Sequence, residues 1–408
     1  MFKMFREVNA KLIIFTIAIF LAGSAAGVAF YSALSAGVAP DSGNIFDIAA
    51  ESDDSVLSAE GAARVQQLGK YLQDNYYLPV TDGAIETGIL RGIFSSPGDP
   101  YTAYYTKDEF DETMERTHGE LSGVGLTLSA NKDGFIEVMG VVEGSPADGA
   151  GIRKGDLLIS VDGTGYSGEQ LAGAVGAAQG EPGTEVVLGI SRNGAIKDYK
   201  VTRAVFVTPS VAHEYMKNAV GKDIGYIRVS SFNDNTATDF ETALKEMNDK
   251  DGLAGIVIDV RGNAGGLVDK AIEMDDMLLD KGVICYAENG KGDRIEYATE
   301  DGKLTDLPYA VLIDGTSVSA AEIFALGVKA GGGGKLVGET TYGKGLIQKL
   351  EKFDEGDGVR ITIMQYVAPD GEPVNGVGIA PDIEAPQPEG AEQGADSDAQ
   401  LRKALSLF

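Results

Sequence analysis

Beyond Thr208 short apolar runs alternate with amphipathic stretches of helical period, and this alternation constrains the fold more than any other feature of the chain. Ile224–Val229, Ile256–Val260, Val283–Ala287 and Tyr309–Ile313 read as strands; Thr238–Met247, Leu267–Leu279 and Ala320–Lys329 read as helices. Strands that alternate with helices bury their apolar faces best as an α/β layer, with helices packed on a sheet. Val359–Val367 reads as a late strand. Upstream the texture differs. Residues 58–94 carry a helical pattern (Val65, Leu68, Leu72; then Ile85, Ile89, Leu90, Ile93), broken at Pro97-Gly98-Asp99-Pro100, and Lys107–His118 is a second, acidic helical piece. From Leu121 to about residue 205 short strands and glycine turns take over, with hairpin signals at Asp162-Gly163 and Asn193-Gly194. Glu169–Ala178 is helical despite Gly173 and Gly176, each costing about 1 kcal/mol relative to alanine, so it depends on packing.

Length and composition bound the class. A chain of 408 residues has room for two or three domains and a large core. The formal net charge of −28 argues against nucleic acid and anionic lipid surfaces as partners, since both would be repelled. One cysteine, Cys285, permits no internal disulfide and no multi-cysteine zinc site; it lies in an apolar run and reads as a small core residue. No metal or cofactor is called for. The N-terminus carries Lys3, Arg6 and Lys11, then no charge from Leu12 to Pro40. Leu12–Leu34 is long enough to span a bilayer, which needs about 20 residues, with the basic flank in the cytoplasm and the rest of the chain outside. A cleaved signal peptide also fits, with small residues near Ala33 and Ser35. The length of the uncharged run favours a retained anchor.

Asp314-Gly-Thr-Ser-Val-Ser-Ala-Ala-Glu322 follows an apolar run and opens a helical pattern, which is where a nucleophilic serine would sit. Ser319-Ala-Ala-Glu322 is also a capping-box signature. A nucleophile needs a base within hydrogen-bond reach. The only histidines, His118 and His213, lie in acidic, polar segments without a matching buried aspartate motif. A lysine can serve if burial keeps its amine neutral against the negative field of the protein. Lys344, between Gly343 and Gly345, is a candidate. A third piece, Asp259-Val-Arg-Gly-Asn-Ala-Gly265-Gly266, ends a strand and precedes a helix, so its backbone N–H groups suit an oxyanion.

Together the three pieces resemble the C-terminal processing, or tail-specific, proteases, serine peptidases with a Ser/Lys dyad. The family pattern Ser-Ala-Ser-Ala-Ser-Glu is matched by Ser317-Val-Ser-Ala-Ala-Glu322, which maps the nucleophile onto Ser319. The lysine of the family motif lies 25 residues later, at Lys344 in Tyr342-Gly-Lys-Gly345, and the glutamine that orients it maps to Gln348. By the same resemblance the N–H groups of Gly265 and Ala320 form the oxyanion hole. Residues 119–205 resemble a PDZ domain, with Ser122-Gly123-Val124-Gly125-Leu126 as carboxylate-binding loop and Leu171 and Val175 on the helix across the groove. Gln179 stands where some relatives carry an arginine that couples peptide binding to activation.

The implied architecture is a membrane anchor and flank (1–40), a linker (41–57), a helical N-terminal region (58–118), an inserted PDZ domain (119–205), a crotonase/ClpP-like α/β protease core (206–385) and an acidic C-terminal tail (386–408), of which 386–400 reads as disordered. The expected function is a serine endopeptidase at the cell membrane that cuts extracytoplasmic proteins near free C-termini, with a possible homodimer through the N-terminal helices. An inert PDZ-bearing adaptor and an acyl hydrolase on the same core are the alternatives.

Overall fold

The computed structural model describes residues 56–408 apart from Asp301, Glu389, Glu392 and Asp396. The proposed anchor, Leu12–Leu34, lies outside the described residues, and so does most of the linker. Among the described residues no helix is long and apolar enough to cross a membrane.

The chain divides into two compact units. One comprises the described residues up to Phe110 with Leu350–Ile361. The helical pattern over 58–94 is two helices, Ala59–Asn75 and Asp82–Ser95, each opened by a side-chain cap: Ser58 accepts from the Gly61 N–H and Thr81 from the Ala84 N–H. Neither helix has a buried residue, and Leu68, Tyr71, Leu72 and Ile93 stay exposed. Ala103–Tyr105 pairs antiparallel with Gly358–Arg360, and the Phe110 ring is buried beside Gly358.

The second unit holds Asp111–Lys349 and Thr362–Phe408. Within it the glycine-rich region forms an antiparallel sheet in which Leu126–Ala130, Ile136–Val141, Leu157–Val161, Glu185–Arg192 and Ala195–Thr202 are neighbours in that order. The sequence signals for turns hold. Asp162 and Asn193 take φ of 47° and 53°, each followed by a glycine of positive φ, and Val161 pairs with Thr164, Arg192 with Ala195. Those are two-residue hairpins of the kind Asx-Gly favours. Entry and exit strands pair with each other, Glu120 opposite Val207 and Gly123 opposite Ala204, so the domain closes on itself as an insertion.

The α/β layer is a six-stranded sheet in the order Val211–Lys217, Asp223–Val229, Ile256–Asp259, Tyr309–Ile313, Gly334–Gly338, Ile383–Glu384. All neighbours are parallel except the first pair. Strand side chains alternate between faces. Ile256, Ile258, Val311 and Ile313 point into a core closed by helices Thr236–Asp249, Val268–Leu278 and Ala320–Gly331. Cys285 is in this core, and burial pushes its thiol up to about 12. Val257, Ala310, Leu312 and Val337 point to the opposite face.

That opposite face corrects the sequence expectation. The sequence pattern reads 386–400 as disordered, within an acidic tail that runs to residue 408. Asp398 and Gln400 are instead buried, and the tail ends in helix Ala399–Leu405, with Leu401 and Ala404 buried against the second face of the sheet. Few apolar residues suffice because the sheet supplies the rest of the surface; burying one leucine contributes about 2 kcal/mol.

Candidate active site

Strand Tyr309–Ile313 and helix Ala320–Gly331 are joined by a sharp turn that ends at Ser319. Ser319 has φ 58° and ψ −116°. Among the described residues the other non-glycine positions at positive φ are Asp162 and Asn193, types that tolerate it in turns. A serine held there costs about 1–3 kcal/mol and persists only where surrounding bonds over-determine it. Those bonds are present. The Val318 N–H donates to the Asn263 carbonyl (2.9 Å) and the Tyr342 N–H to the Ser317 carbonyl (3.1 Å). The Ser317 hydroxyl donates to the Val260 carbonyl (2.9 Å), and the Ser319 N–H donates to a Glu322 carboxylate oxygen (2.9 Å).

Glu322 does more than the capping box foresaw. It is fully buried on a helix whose neighbouring side chains are apolar. Its carboxylate accepts four hydrogen bonds: Ser319 N–H and Lys344 N–H (2.8 Å) on one oxygen, Thr341 hydroxyl (2.6 Å) and Gly343 N–H (2.7 Å) on the other. One carboxylate therefore holds the backbones of the candidate nucleophile and the candidate base. Tyr366 adds a second clasp. Its hydroxyl lies 2.7 Å from the Lys344 carbonyl and 3.3 Å from that of Ser319. Burial first, and the Glu322 charge second, hold the Tyr366 phenol well above its usual range, so it stays protonated and donating.

Lys344 is half-buried between glycines that its surroundings require. Gly343 has φ 89°, and a Cβ there would stand 3.1 Å from the backbone nitrogens of Val377 and Gly378; at Gly345 it would strike the backbone of Asn375. Gln348 donates through Nε2 to the Thr362 hydroxyl (3.2 Å). The histidines lie elsewhere: His118 pairs with Asp234 and His213 with Glu246, each at 2.8 Å.

The glycine loop after strand Ile256–Asp259 meets the serine turn as the sequence reading expected. Gly265 has φ 97°, and a Cβ on it would lie 2.8 Å from the Ser319 Cβ and 3.1 Å from the Ala320 nitrogen. Ala320 opens the helix, so its N–H has no carbonyl one turn earlier to bond and carries the positive end of the helix dipole. The Gly265 N–H differs from the expectation. It donates to the Asn263 side-chain oxygen (2.8 Å), because the loop folds back on that amide, and it would reach an oxyanion only by leaving that acceptor.

In the inserted domain the residues read as a groove lie on a loop, a strand and a helix of one small fold. The carbonyls of Val124 and Gly125 turn inward to the N–H groups of Ala147 (2.8 Å) and Val142 (2.9 Å). Gly125 has φ 83°, and any side chain there would collide with Ser145. Leu126 begins the strand along the groove; Leu171 and Val175 are half-buried on the facing helix, Leu171–Ala178. Gly123 packs on Gln179, and the Ser122 hydroxyl donates to the Gly180 carbonyl (2.7 Å). Sequence reasoning missed Arg203. Its guanidinium caps that helix, donating to the carbonyls of Ala178 (3.0 Å) and Ala177 (2.8 Å), and lies against Gly180. A cation there complements the negative end of the helix.

Comparisons with known proteins bear on the family of the chain. Residues 223–385 match peptidase family S41 and residues 137–192 a PDZ domain. The chain is 32% identical over 340 residues to the carboxy-terminal processing protease CtpA of Bacillus subtilis, covering 81% of this chain and 71% of that one. It is 35% identical over 315 residues to a carboxyl-terminal-processing protease of a Picosynechococcus species, covering 76% of each. Among solved structures, the photosystem II D1 C-terminal processing protease superposes with a TM-score of 0.50 at 28% identity, covering 82% of this chain and 92% of that one. The serine turn and the glycine loop thus sit in a member of peptidase family S41: a serine endopeptidase of the carboxyl-terminal processing group, bearing a PDZ domain.

Proposed function

We propose that this peptidase cleaves protein substrates near their C-termini with Ser319 as nucleophile and Lys344 as its base, on a core of the crotonase/ClpP-like type. The carrying observation is the shared Glu322 carboxylate, which ties the backbones of residues 319 and 344 together across the helix start. The neutral Lys344 amine takes the Ser319 proton as the hydroxyl attacks the peptide carbonyl. The tetrahedral oxyanion is held by the Ala320 N–H and by the Gly265 N–H once it swings from the Asn263 side chain. Lys344, now an ammonium, protonates the departing amine, and water then hydrolyses the acyl-enzyme with the lysine again as base. With its amide nitrogen on Thr362, Gln348 has its oxygen left to orient the lysine.

The substrate tail would add as a strand beside Leu126–Ala130, its terminal carboxylate on the N–H groups of residues 123–126 and its last side chain between Leu171 and Val175. The apolar run Leu12–Leu34 and its basic flank support an anchored protein acting outside the cytoplasm. The unburied N-terminal helices offer a surface for a second copy.

The test is intact mass of an unfolded protein substrate after incubation with wild type, Ser319→Ala and Lys344→Ala. Wild type should shorten the substrate from its C-terminal side, and both variants should leave it whole while still binding a C-terminal peptide. Cleavage by either variant refutes the dyad; binding without cleavage by wild type supports an adaptor instead.

A further inference from the structure

The loop that faces Ser319 is anchored by Arg261, one of the largest fully buried side chains of the protein. All five of its N–H donors are engaged. Nε bonds one Asp259 oxygen (3.0 Å), and Nη2 bonds Asp259 (2.7 Å) and Asp398 (2.8 Å). Nη1 bonds Asp398 (2.9 Å) and Gln400 (2.9 Å). Asp259 comes from the same strand end; Asp398 and Gln400 come from the C-terminal segment, 137 and 139 positions away. Asp398 is itself fixed by the N–H groups of Gly394 (2.9 Å) and Leu401 (3.0 Å).

From Arg261 a continuous set of bonds reaches the serine turn. The next residue, Gly262, donates to the Thr316 hydroxyl (3.0 Å). Asn263 accepts from the Val318 N–H through its carbonyl (2.9 Å) and from the Gly265 N–H through its side chain (2.8 Å). Covering the sheet needs only apolar side chains. Bringing a carboxylate into a dry site beside a guanidinium carries a desolvation cost that a leucine would not, so it contributes position rather than cover. We propose that Asp398, assisted by Gln400, is a positioning residue for the reaction: it clamps Arg261 and thereby sets the glycine loop 262–266 against Ser319. The C-terminal segment is then an internal part of the active-site scaffold. This rests on the serine-peptidase reading above.

The test uses the full chain with Asp398→Ala, and with Leu401→Ala as a control that loosens the same helix without touching Arg261. Steady-state rates on an unfolded protein substrate are paired with hydrogen exchange of the segments 259–267 and 309–313. For Asp398→Ala we expect kcat to fall at least tenfold with KM within twofold, and exchange to quicken at 262–266 while Tyr309–Ile313 stays protected. Leu401→Ala should lower the unfolding midpoint yet keep kcat within twofold. Should Asp398→Ala not fold, Asp398→Asn keeps the shape and one acceptor and should lower kcat at least threefold. An aspartate variant with kcat and loop exchange like wild type overturns the proposal. So do losses in the two helix variants that merely follow their unfolding midpoints. If wild type shows no turnover, the peptidase reading fails, and exchange at 262–266 alone decides whether Asp398 positions the loop.

Discussion

Replacing Glu322 by glutamine probes the coupling between the two candidate catalytic residues with almost no change of shape. Each carboxylate oxygen accepts two bonds, and glutamine keeps only one acceptor oxygen. If its amide nitrogen takes the side facing Ser319 and Lys344, two buried N–H groups meet a donor. If it takes the other side, the Thr341 hydroxyl, which also accepts from the Ile379 N–H (2.7 Å), can turn its proton away and accept from the amide, and the Gly343 N–H is the one stranded N–H group. The second orientation wins. A stranded buried donor costs about 1–3 kcal/mol, and the two surviving bonds each weaken by about 1 kcal/mol on losing the charge. The total is about 3–5 kcal/mol, within the 5–15 kcal/mol typical of a folded domain, so the variant should fold. Its Ser319 and Lys344 backbones would no longer be held by charge, and a misplacement near 1 Å costs on the order of 100-fold in rate. Urea unfolding and initial rates on one protein substrate measure both quantities. The expected result is a lower unfolding midpoint, kcat down about 100-fold and KM little changed. A Glu322→Gln enzyme that loses stability as calculated but turns over like wild type would show that this carboxylate does not set the site. An unchanged midpoint would show that the four bonds are not worth what the geometry implies.

Gly265→Ala should abolish turnover while tail binding in the PDZ groove persists, since a Cβ at φ 97° would lie 2.8 Å from both the Ser319 Cβ and the Val318 carbonyl oxygen; normal rates in that variant would contradict the close approach. Asp275 gives a pH prediction. Its carboxyl is fully buried against Gly327, neither oxygen has a hydrogen-bond partner among the described residues, and burial raises it well above the usual carboxylate range. The folded state therefore keeps a proton that the unfolded state releases, so stability is greatest below the unfolded value, about 3.9, and declines as pH rises through the folded one. Asp275→Asn should match wild type near pH 4 and exceed it increasingly toward neutral pH; a difference in urea midpoint that does not vary with pH would count against a protonated Asp275.

Local pattern was enough for much of this protein. The strand at Tyr309–Ile313 and the helix start at Ala320 follow from apolar periodicity, and the hairpins at Asp162-Gly163 and Asn193-Gly194 from backbone freedom at Asx and glycine. Motif order also singled out Ser319, Lys344 and the glycine loop, and folding brings the loop against the serine. Sequence did not give what depends on partners far along the chain. Glu322 read as a cap because its neighbour three residues back is a serine, whereas half its bonds come from residues 343 and 344; a lone acid among buried apolar side chains was the one available signal. Asp398 read as part of a solvated tail because acid-rich segments with few apolar residues seldom form cores of their own. Only the tertiary structure supplies the finished sheet face and the buried Arg261 that turn this segment into ordered chain, since the free energy of ordering it comes from surfaces built far earlier in the chain.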